Sequence, residues 1–345
     1  MKILYGINTN GQGHINRSRT IMKQLIADGH EIHIVFEGPK PPKYAYSLGR
    51  SFTWINSFEL VYEEHQLTFF KTLGKSMLNS LYLPKIVLSL RRRLSREKFD
   101  LVITDFAPLV SYVGMLSEVP LISIDHQHSI RSNLALTIPG YSINHLVMDW
   151  TLGITAPSAE HYISIDYVKT LRNERIWTLY PLLWKDEFDD VDIYKGDSYI
   201  IYVKRLREKY LRKVLKDFPD ENFIVYGYDK EEKIENVHLK PTSRSGFLTD
   251  FASSKGVIAN AGFSVTWEAI LVDKPLHVIP IENQFEQQTN AYRLERQKLA
   301  TASNSISEEG LSNFFSKSPS YFKTSEYVGK PVTEFTNYLY KIMEW

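Results

Sequence analysis

Between Gly256 and Ala291 the chain sets out groups that suit a phosphorylated sugar. The apolar run Gly256 to Ala259 leads into the turn Asn260-Ala261-Gly262, and an amphipathic run from Ser264 to Leu271 follows. A helix that starts directly after such a turn presents backbone N–H groups without intrahelical partners, and these favour phosphate. Ser264 and Thr266 add hydroxyl donors. Glu268, one turn into the helix, can accept two hydrogen bonds from a ribose diol. A second apolar run, Leu276 to Pro280, precedes a polar helix that begins near Gln284, where Glu286 and Gln287 can bond vicinal hydroxyls of a hexose. Strand, turn, helix and strand make a βαβ unit. The set predicts a nucleotide-sugar site. The alternative is an ordinary βαβ crossover with incidental polar residues.

A second group of candidates lies near the start of the chain. The apolar stretch Lys2 to Ile7 runs into Gly11-Gln12-Gly13-His14, then into helical spacing at Ile15, Ile21, Leu25 and Ile26 that ends at Gly29. The next strand is expected from Glu31 to Phe36. Asn16 stands where the dinucleotide fingerprint needs its last glycine, which disfavours NAD. The strand Asp100 to Phe106 carries an acid, Asp105, near its end, and the strand Pro120 to Ile124 runs into Asp125-His126-Gln127-His128. Strand C-terminal edges are where open α/β sheets bind ligands. His-x-His alone lacks a third metal ligand, so no metal site is assigned.

The order Asn-Ala-Gly-Phe-Ser-x-x-x-Glu-Ala, Lys-Pro, Glu-Gln-x-x-Asn-Ala resembles the donor signature of GT-B glycosyltransferases. It is similar to that of the undecaprenyl-diphospho-muramoylpentapeptide N-acetylglucosaminyltransferases and the UDP-glycosyltransferases of small molecules. The resemblance places Asn260, Gly262, Ser264 and Val265 at the diphosphate, with Thr266 beside them, Glu268 on the ribose, and Glu286 with Gln287 on the sugar. Asn260 stands where the small-molecule enzymes carry His. Gly11-Gln12-Gly13-His14 resembles the N-terminal motif of the same enzymes, whose His takes the acceptor proton. His14 then implies a general base and Asp105 the acid that orients it, unless Asp105 only caps the helix before Pro108.

Gly13 lets acceptor and donor approach the backbone closely. Gly-x-Gly-His-x-x-Arg resembles a bacterial and archaeal GT-B subgroup. Arg17 there meets an anionic acceptor or the donor phosphates, or else is a solvated helix side chain. Asp125, His126 and His128 either line the acceptor site, with one of the histidines as an alternative base, or stabilise their loop. Lys204 and Arg205, after the strand Ser198 to Val203, either neutralise the diphosphate or form a surface pair. The resemblance implies that the backbone at Phe247 and Leu248, before a helix from Thr249 to Ser254, reads the base.

The strands and helices that carry these residues read as two βαβ units. At 345 residues the chain has length for about two domains. The expected fold is α/β: GT-B, two Rossmann-like doubly wound domains facing across a cleft. The expected boundaries are an acceptor domain over 1–182, a donor domain over 183–327, and a C-terminal helix over 328–345 that crosses back to the first domain. Further helices are expected over Leu109 to Ser117 and His145 to Leu152. Further strands are expected at Gly153 to Ala156, Trp177 to Leu179 and Asn222 to Tyr226, with Pro39 to Ser51 as a loop.

With 41 Lys and Arg against 40 Asp and Glu, the formal charge is +1, so strong nucleic-acid binding is not expected. Absence of Cys excludes disulfides and thiolate catalysis. The apolar stretch from Ile3 to Ile7 is too short for a signal-peptide core, and no apolar run reaches the roughly 18 residues of a membrane span. A cytoplasmic protein is expected. The stretch 69–96 is basic and amphipathic, with Pro84 interrupting it, and reads either as a solvated surface helix or as a peripheral contact with anionic membrane. The implied reaction is inverting, metal-independent transfer of a hexose, of glucose or N-acetylglucosamine type, from a UDP-sugar to a hydroxyl acceptor, a glycan or lipid-linked one among the candidates. No cofactor is expected beyond the UDP-sugar co-substrate. A nucleotide-sugar 2-epimerase of the same fold and a non-catalytic nucleotide-sugar sensor are the alternatives.

Overall fold

The structure, a computed structural model, describes residues 1–10, 12–56, 62–63, 66–67, 83–129, 153, 159–166, 176–180, 186–204, 206–317, 319–323 and 332–343. The chain divides into two compact units. Met1–Ala135, Pro139–Leu183 and Lys330–Trp345 form the first, and Leu136–Ile138 with Trp184–Gly329 the second.

Unit 1 is built on a seven-stranded parallel sheet. Its strands are β1 (Lys2–Asn8), β2 (Glu31–Glu37), β3 (Ser51–Ile55), β4 (Leu101–Asp105), β5 (Leu121–Asp125), β6 (His161–Ile165) and β7 (Ile176–Tyr180). The order across the sheet is β3-β2-β1-β4-β5-β6-β7. The sequence of connections therefore reverses direction between β1 and β4, and a doubly wound sheet opens a crevice at that point. β1 and β4 are both buried along their lengths, as parallel strands covered on both faces must be.

Helix α1 (Gln12–Ala27) packs Ile15, Ile21, Met22 and Leu25 inward. Ile26, expected on that face, is exposed. The helix closes with a Schellman arrangement: the amide of His30 donates to Leu25 O, the amide of Gly29 donates to Ile26 O, and Gly29 takes a φ of +85°. Helix α2 (Leu83–Glu97) carries Pro84 as its second residue, so Pro84 sits in the first turn of this helix, where it is tolerated. Helix α3 (Pro108–Met115) presses Val110 and Ala107 so close to Gly6 that a Cβ there would lie 2.7 Å from Val110 Cβ.

Unit 2 is built on a second seven-stranded sheet. Its strands are β8 (Ser198–Tyr202), β9 (Asn222–Tyr226), β10 (Glu232–Ile234), β11 (Val237–Lys240), β12 (Gly256–Asn260), β13 (Leu276–Ile279) and β14 (Thr301–Ala302). The order is β10-β11-β9-β8-β12-β13-β14, parallel except for the edge strand β10, which pairs antiparallel with β11. The direction of winding reverses between β8 and β12. Helices α4 (Glu208–Leu215), α5 (Arg244–Ala252), α6 (Phe263–Leu271), α7 (Phe285–Arg296) and α8 (Glu308–Phe315) connect or follow these strands. Leu211, Leu215, Phe223, Leu239, Ile258 and Phe314 belong to one buried cluster in this unit.

Helix α9 (Val332–Ile342) belongs to unit 1. Its Tyr340 hydroxyl lies 2.9 Å from His30 Nε2 and donates to Asp28 Oδ2 at 2.7 Å, at the C-terminal end of α1.

Several local expectations are corrected. Ser51–Ile55 is a strand and Lys43–Ser47 a short 3-10 helix, where Pro39 to Ser51 read as one loop. Helix α5 begins at Arg244 rather than Thr249, because Ser243 caps it by accepting from the amide of Gly246. Strands β6, β10, β11 and β14 and helices α4 and α8 were not expected from the sequence. Gly153 is helical rather than in a strand, and 154–156, the helix expected over 145–152, Arg205, and 69–82 of the basic stretch lie outside the described residues. In α2, Arg91, Arg92 and Arg96 are exposed, but Arg93 Nε donates to Glu97 Oε1 at 2.7 Å, one residue past the basic stretch.

His277 in β13 is buried, and burial pushes its pKa down to about 4. Ser303 donates its hydroxyl to Ser305 O, so at 2.9 Å it accepts from His277 Nε2–H, while Thr301 donates to Nδ1 at 2.8 Å. The folded state therefore holds this ring neutral, and between about pH 6.5 and 4 the unfolded chain binds the extra proton. Stability is expected to fall as pH drops through that window, by on the order of 3 kcal/mol from this residue. Denaturant midpoints measured from pH 7 to pH 4 would show the fall, and His277→Gln would flatten it; an unchanged slope in the variant would remove the assignment.

Candidate functional site

The end of β1, the start of α1 and the end of β4 meet where the winding of unit 1 reverses. Ile7 pairs with Asp105 across β1 and β4. His14, the third residue of α1, turns toward that carboxylate, with Nδ1 2.7 Å from Asp105 Oδ1. Asp105 is fully buried, whereas 15% of the His14 side chain is exposed. Asp105 thus lies behind the imidazole, and the ring keeps access to solvent.

Arg17, one turn further along α1, is buried at 3% exposure. Its Nε donates to Asp105 Oδ2 at 3.0 Å and its Nη2 to Asp105 Oδ1, and Ser18 Oγ donates to Oδ2 at 2.9 Å. The reading of Arg17 as a solvated helix side chain is corrected: the guanidinium is buried against Asp105. Burial alone would raise the Asp105 pKa, but Arg17 and then His14 more than offset it and hold the carboxyl below its ordinary range.

The geometry also assigns the His14 tautomer. Arg17 Nη2 lies 3.1 Å from Nδ1, but a guanidinium is only a donor. An unprotonated Nδ1 would place lone pair against lone pair at 2.7 Å from Asp105. With its hydrogen on Nδ1 the ring donates to Asp105, the nearer of the two groups, and Nε2 carries the lone pair.

Phe106 completes this corner, and the sequence carried no sign of its role. It takes a φ of 54°, a left-handed conformation that costs a side chain with Cβ about 1–2 kcal/mol. Asn8 Nδ2 donates to Phe106 O at 3.0 Å, and the Phe106 ring stacks on His14 with centroids 5.7 Å apart and planes 18° apart. Local strain is held by the surrounding structure to give the imidazole a wall. Glu37, at the end of β2, is a second unexpected residue. Its buried carboxylate accepts the Leu109 and Val110 amides at 2.9 and 2.8 Å, satisfying the N-terminus of α3. Burial pushes its pKa up to about 7, and the two amide bonds lower it in part.

Asp125, His126 and His128 follow at the end of β5, and all are buried. His128 Nδ1 lies 2.6 Å from Asp125 Oδ2, and the His128 amide donates to Asp125 Oδ1 at 2.9 Å. His126 Nδ1 lies 3.2 Å from Ile165 O. These contacts engage the three side chains in the fold, as the loop-stabilising reading expects. They tie β5 to its own loop and to β6, and of the three candidate bases His14 has the solvent-facing ring. Among the described residues no group of three or more His, Asp or Glu side chains forms a metal site.

In unit 2 the winding reverses between β8 and β12. Asn260 ties the strand ends there, accepting the Lys204 amide at 2.8 Å and donating to Ile279 O at 2.9 Å. Its side chain is thereby engaged in the fold rather than offered to a ligand. Lys204 is exposed. Gly262 caps α6, and the amides at the start of this helix, with half-exposed Ser264 and Val265, form the turn expected to take phosphate. Thr266 is corrected as a donor: it is fully buried and its one hydroxyl hydrogen is shared between Gly262 O and Phe263 O of its own helix.

Glu268 is 3% exposed, and Arg244 Nη2 reaches its Oε1 at 3.2 Å. Gln287, at 8% exposure, accepts the Ile281 amide at 3.0 Å, and its Nε2 lies 3.9 Å from where a Cβ on Gly262 would stand. Glu286 is partly exposed in the first turn of α7, and Asn290 of the same helix donates to Ala261 O at 3.1 Å. The α7 side chains are thus brought onto the Gly262 turn from 25 residues away in sequence, which is how the tertiary structure joins the two halves of this signature.

Phe247 and Leu248 lie inside α5 with buried side chains, and Phe247 packs on Tyr202, Tyr226 and Phe251. The loop expected there is helix. Lys274, of the Lys-Pro pair, donates to Tyr194 O at 2.6 Å and Ser254 O at 3.0 Å, so its role is structural.

No curated protein sequence matches the chain. Solved structures share its fold at low identity. MurG of Acinetobacter baumannii superposes with a TM-score of 0.65 at 14% identity, over 99% of each chain. UGT2 of Phytolacca americana, solved with UDP-2-fluoro-glucose and pterostilbene, gives 0.63 at 15% identity over 90% of this chain and 87% of its own. The spinosyn rhamnosyltransferase SpnG, solved with thymidine diphosphate, gives 0.59 at 13% identity over 98% and 99%. The two doubly wound sheets are those of the GT-B architecture. Glycosyl transferase family 1 matches residues 1–319, and with that match over the sheets just described, the chain belongs to glycosyl transferase family 1 and is a glycosyltransferase.

Proposed function

We propose that the chain transfers a hexose from a UDP-sugar to a hydroxyl acceptor, with inversion and without a metal ion. The observation that carries this reading is the His14–Asp105 contact of 2.7 Å beneath a solvent-facing imidazole. In the proposed reaction Nε2 of His14 removes the acceptor proton as the hydroxyl oxygen attacks the anomeric carbon. The bond from that carbon to the nucleotide diphosphate breaks on the opposite face, so the configuration inverts. Asp105 steadies the imidazolium, and its ion pair with Arg17 keeps the carboxylate ionised throughout. The α6 N-terminal amides and Ser264 take the charge that develops on the departing diphosphate; fixed dipoles of this kind can act where other enzymes use a cation.

Glu268 takes the ribose diol and Glu286 with Gln287 the sugar hydroxyls; the approach of Gln287 to the Gly262 turn supports this reading. The test is thermal stability with UDP, dTDP, GDP and CMP in turn, with and without EDTA. A nucleotide at about 100 times its Kd adds roughly 2.7 kcal/mol to the folded state. Stabilisation by UDP above the others, unaffected by EDTA and lost in Glu268→Ala, is the expected result. Preference for another nucleotide would replace the donor, and no response to any of them would remove the donor-site reading.

A further inference from the structure

The side chain around which unit 2 arranges Glu268 is Arg244, which no motif in the sequence singles out. Arg244 is the first residue of α5, and its Nη2 lies between two carboxylates, Glu268 Oε1 at 3.2 Å and Glu187 Oε2. Glu187 stands on a one-turn 3-10 helix, Asp186–Phe188, whose buried Phe188 packs against Phe251 of α5 with ring centroids 6.3 Å apart. The three charges are therefore mounted on three packed elements rather than on a loop. Burial alone would lower the Arg244 pKa, but Glu268 and Glu187 more than compensate and hold the guanidinium charged.

Two carboxylates on one guanidinium leave the trio with a net negative charge. That disposes it poorly to bind a phosphate, and well to hold one oxygen of the Glu268 carboxylate in place. Glu268 is nearly buried, with 4% of its side chain exposed, against 41% for Arg244. A carboxylate oxygen has two lone pairs, so Oε1 can hold Arg244 and still accept from a hydroxyl.

We infer that Arg244, anchored by Glu187, is a positioning residue that orients Glu268 so that its carboxylate distinguishes a ribonucleotide from the 2′-deoxy form. This rests on the assignment of Glu268 to the ribose in the proposed function. Without Arg244 the carboxylate can still lie at the site, but its oxygens are no longer held at the angle a vicinal diol requires. Discrimination falls while the contribution of the diphosphate turn remains.

The test is calorimetric titration of wild type, Arg244→Met and Arg244→Lys with UDP and with 2′-deoxy-UDP. A hydrogen bond from a hydroxyl to an ionised carboxylate predicts a wild-type preference for UDP of roughly tenfold or more. In Arg244→Met the preference is expected to shrink to within about threefold, with 2′-deoxy-UDP affinity little changed, and Lys, lacking the planar fork, restores it only in part. The ratio is internal to each variant, so a general loss of stability does not move it. A wild-type ratio in Arg244→Met would overturn the positioning role and leave the donor site standing. Equal wild-type affinity for the two nucleotides would overturn both Glu268 as the diol reader and Arg244 as its support. Binding of neither would overturn the donor-site reading, and this inference with it.

Discussion

Replacing His14 with Ala is expected to lower kcat/KM for sugar transfer by about 10²–10⁴-fold, the range a positioned general base supplies. The fold should survive, because the ring is partly exposed and its neighbours Arg17 and Ser18 still satisfy Asp105. The loss should appear in kcat at saturating donor, with nucleotide affinity unchanged, since Glu268, Glu286 and Gln287 belong to the other unit. Steady-state rates with a fixed acceptor and varied UDP-sugar would separate the two parameters. A loss below tenfold in a folded variant would move the base elsewhere. His126 and His128 are the first alternatives by sequence, yet either would have to leave the contacts that bury it before it could meet a substrate.

Arg17→Met should have the largest effect on stability. It leaves Asp105, a fully buried carboxylate, without the partner that makes two of its four hydrogen bonds. Breaking a buried pair by removing one partner typically costs about 3–5 kcal/mol, because an uncompensated charge remains. The folded-state pKa of Asp105 is depressed, so the stability it contributes is present above the ordinary Asp range and is lost as pH falls below it. The destabilisation by Arg17→Met should accordingly be largest near neutral pH and shrink as pH falls toward the ordinary Asp range, where the unpartnered, buried Asp105 of the variant can take up a proton while wild-type Asp105 stays ionised. The double variant Arg17→Met, Asp105→Asn should recover part of the loss at neutral pH. Denaturant unfolding across that range measures both. An Arg17→Met protein as stable as wild type would mean that water or another cation replaces the guanidinium, and that the ion pair is not what steadies Asp105.

Phe106 and Arg244 mark where sequence reasoning stops. A positive φ at Phe106 is set by the helix packed after β4 and by the Asn8 side chain, neither of which a local pattern contains. Arg244 reaches Glu268 across 24 residues, a contact that exists only in the folded unit. The apparent equivalence of Ser264 and Thr266 as phosphate donors also dissolved, because two positions along the helix separate a half-exposed residue from a buried one whose hydroxyl turns back into its own helix.

The sequence by itself determined the alternation of buried strands and helices, because apolar runs bounded by glycine and asparagine turns leave few other ways to bury them. It also determined which helix starts follow glycine turns, and it paired His14 with Asp105 through the family resemblance. Only the tertiary structure decided the burial and the partners of those residues. Whether Arg17 is solvated or clamped, whether His126 and His128 face solvent, and which groups hold Glu268 depend on side chains dozens of residues away. Burial and neighbouring charge set the chemistry of an ionisable group, and both are properties of the packed sheet rather than of the local chain.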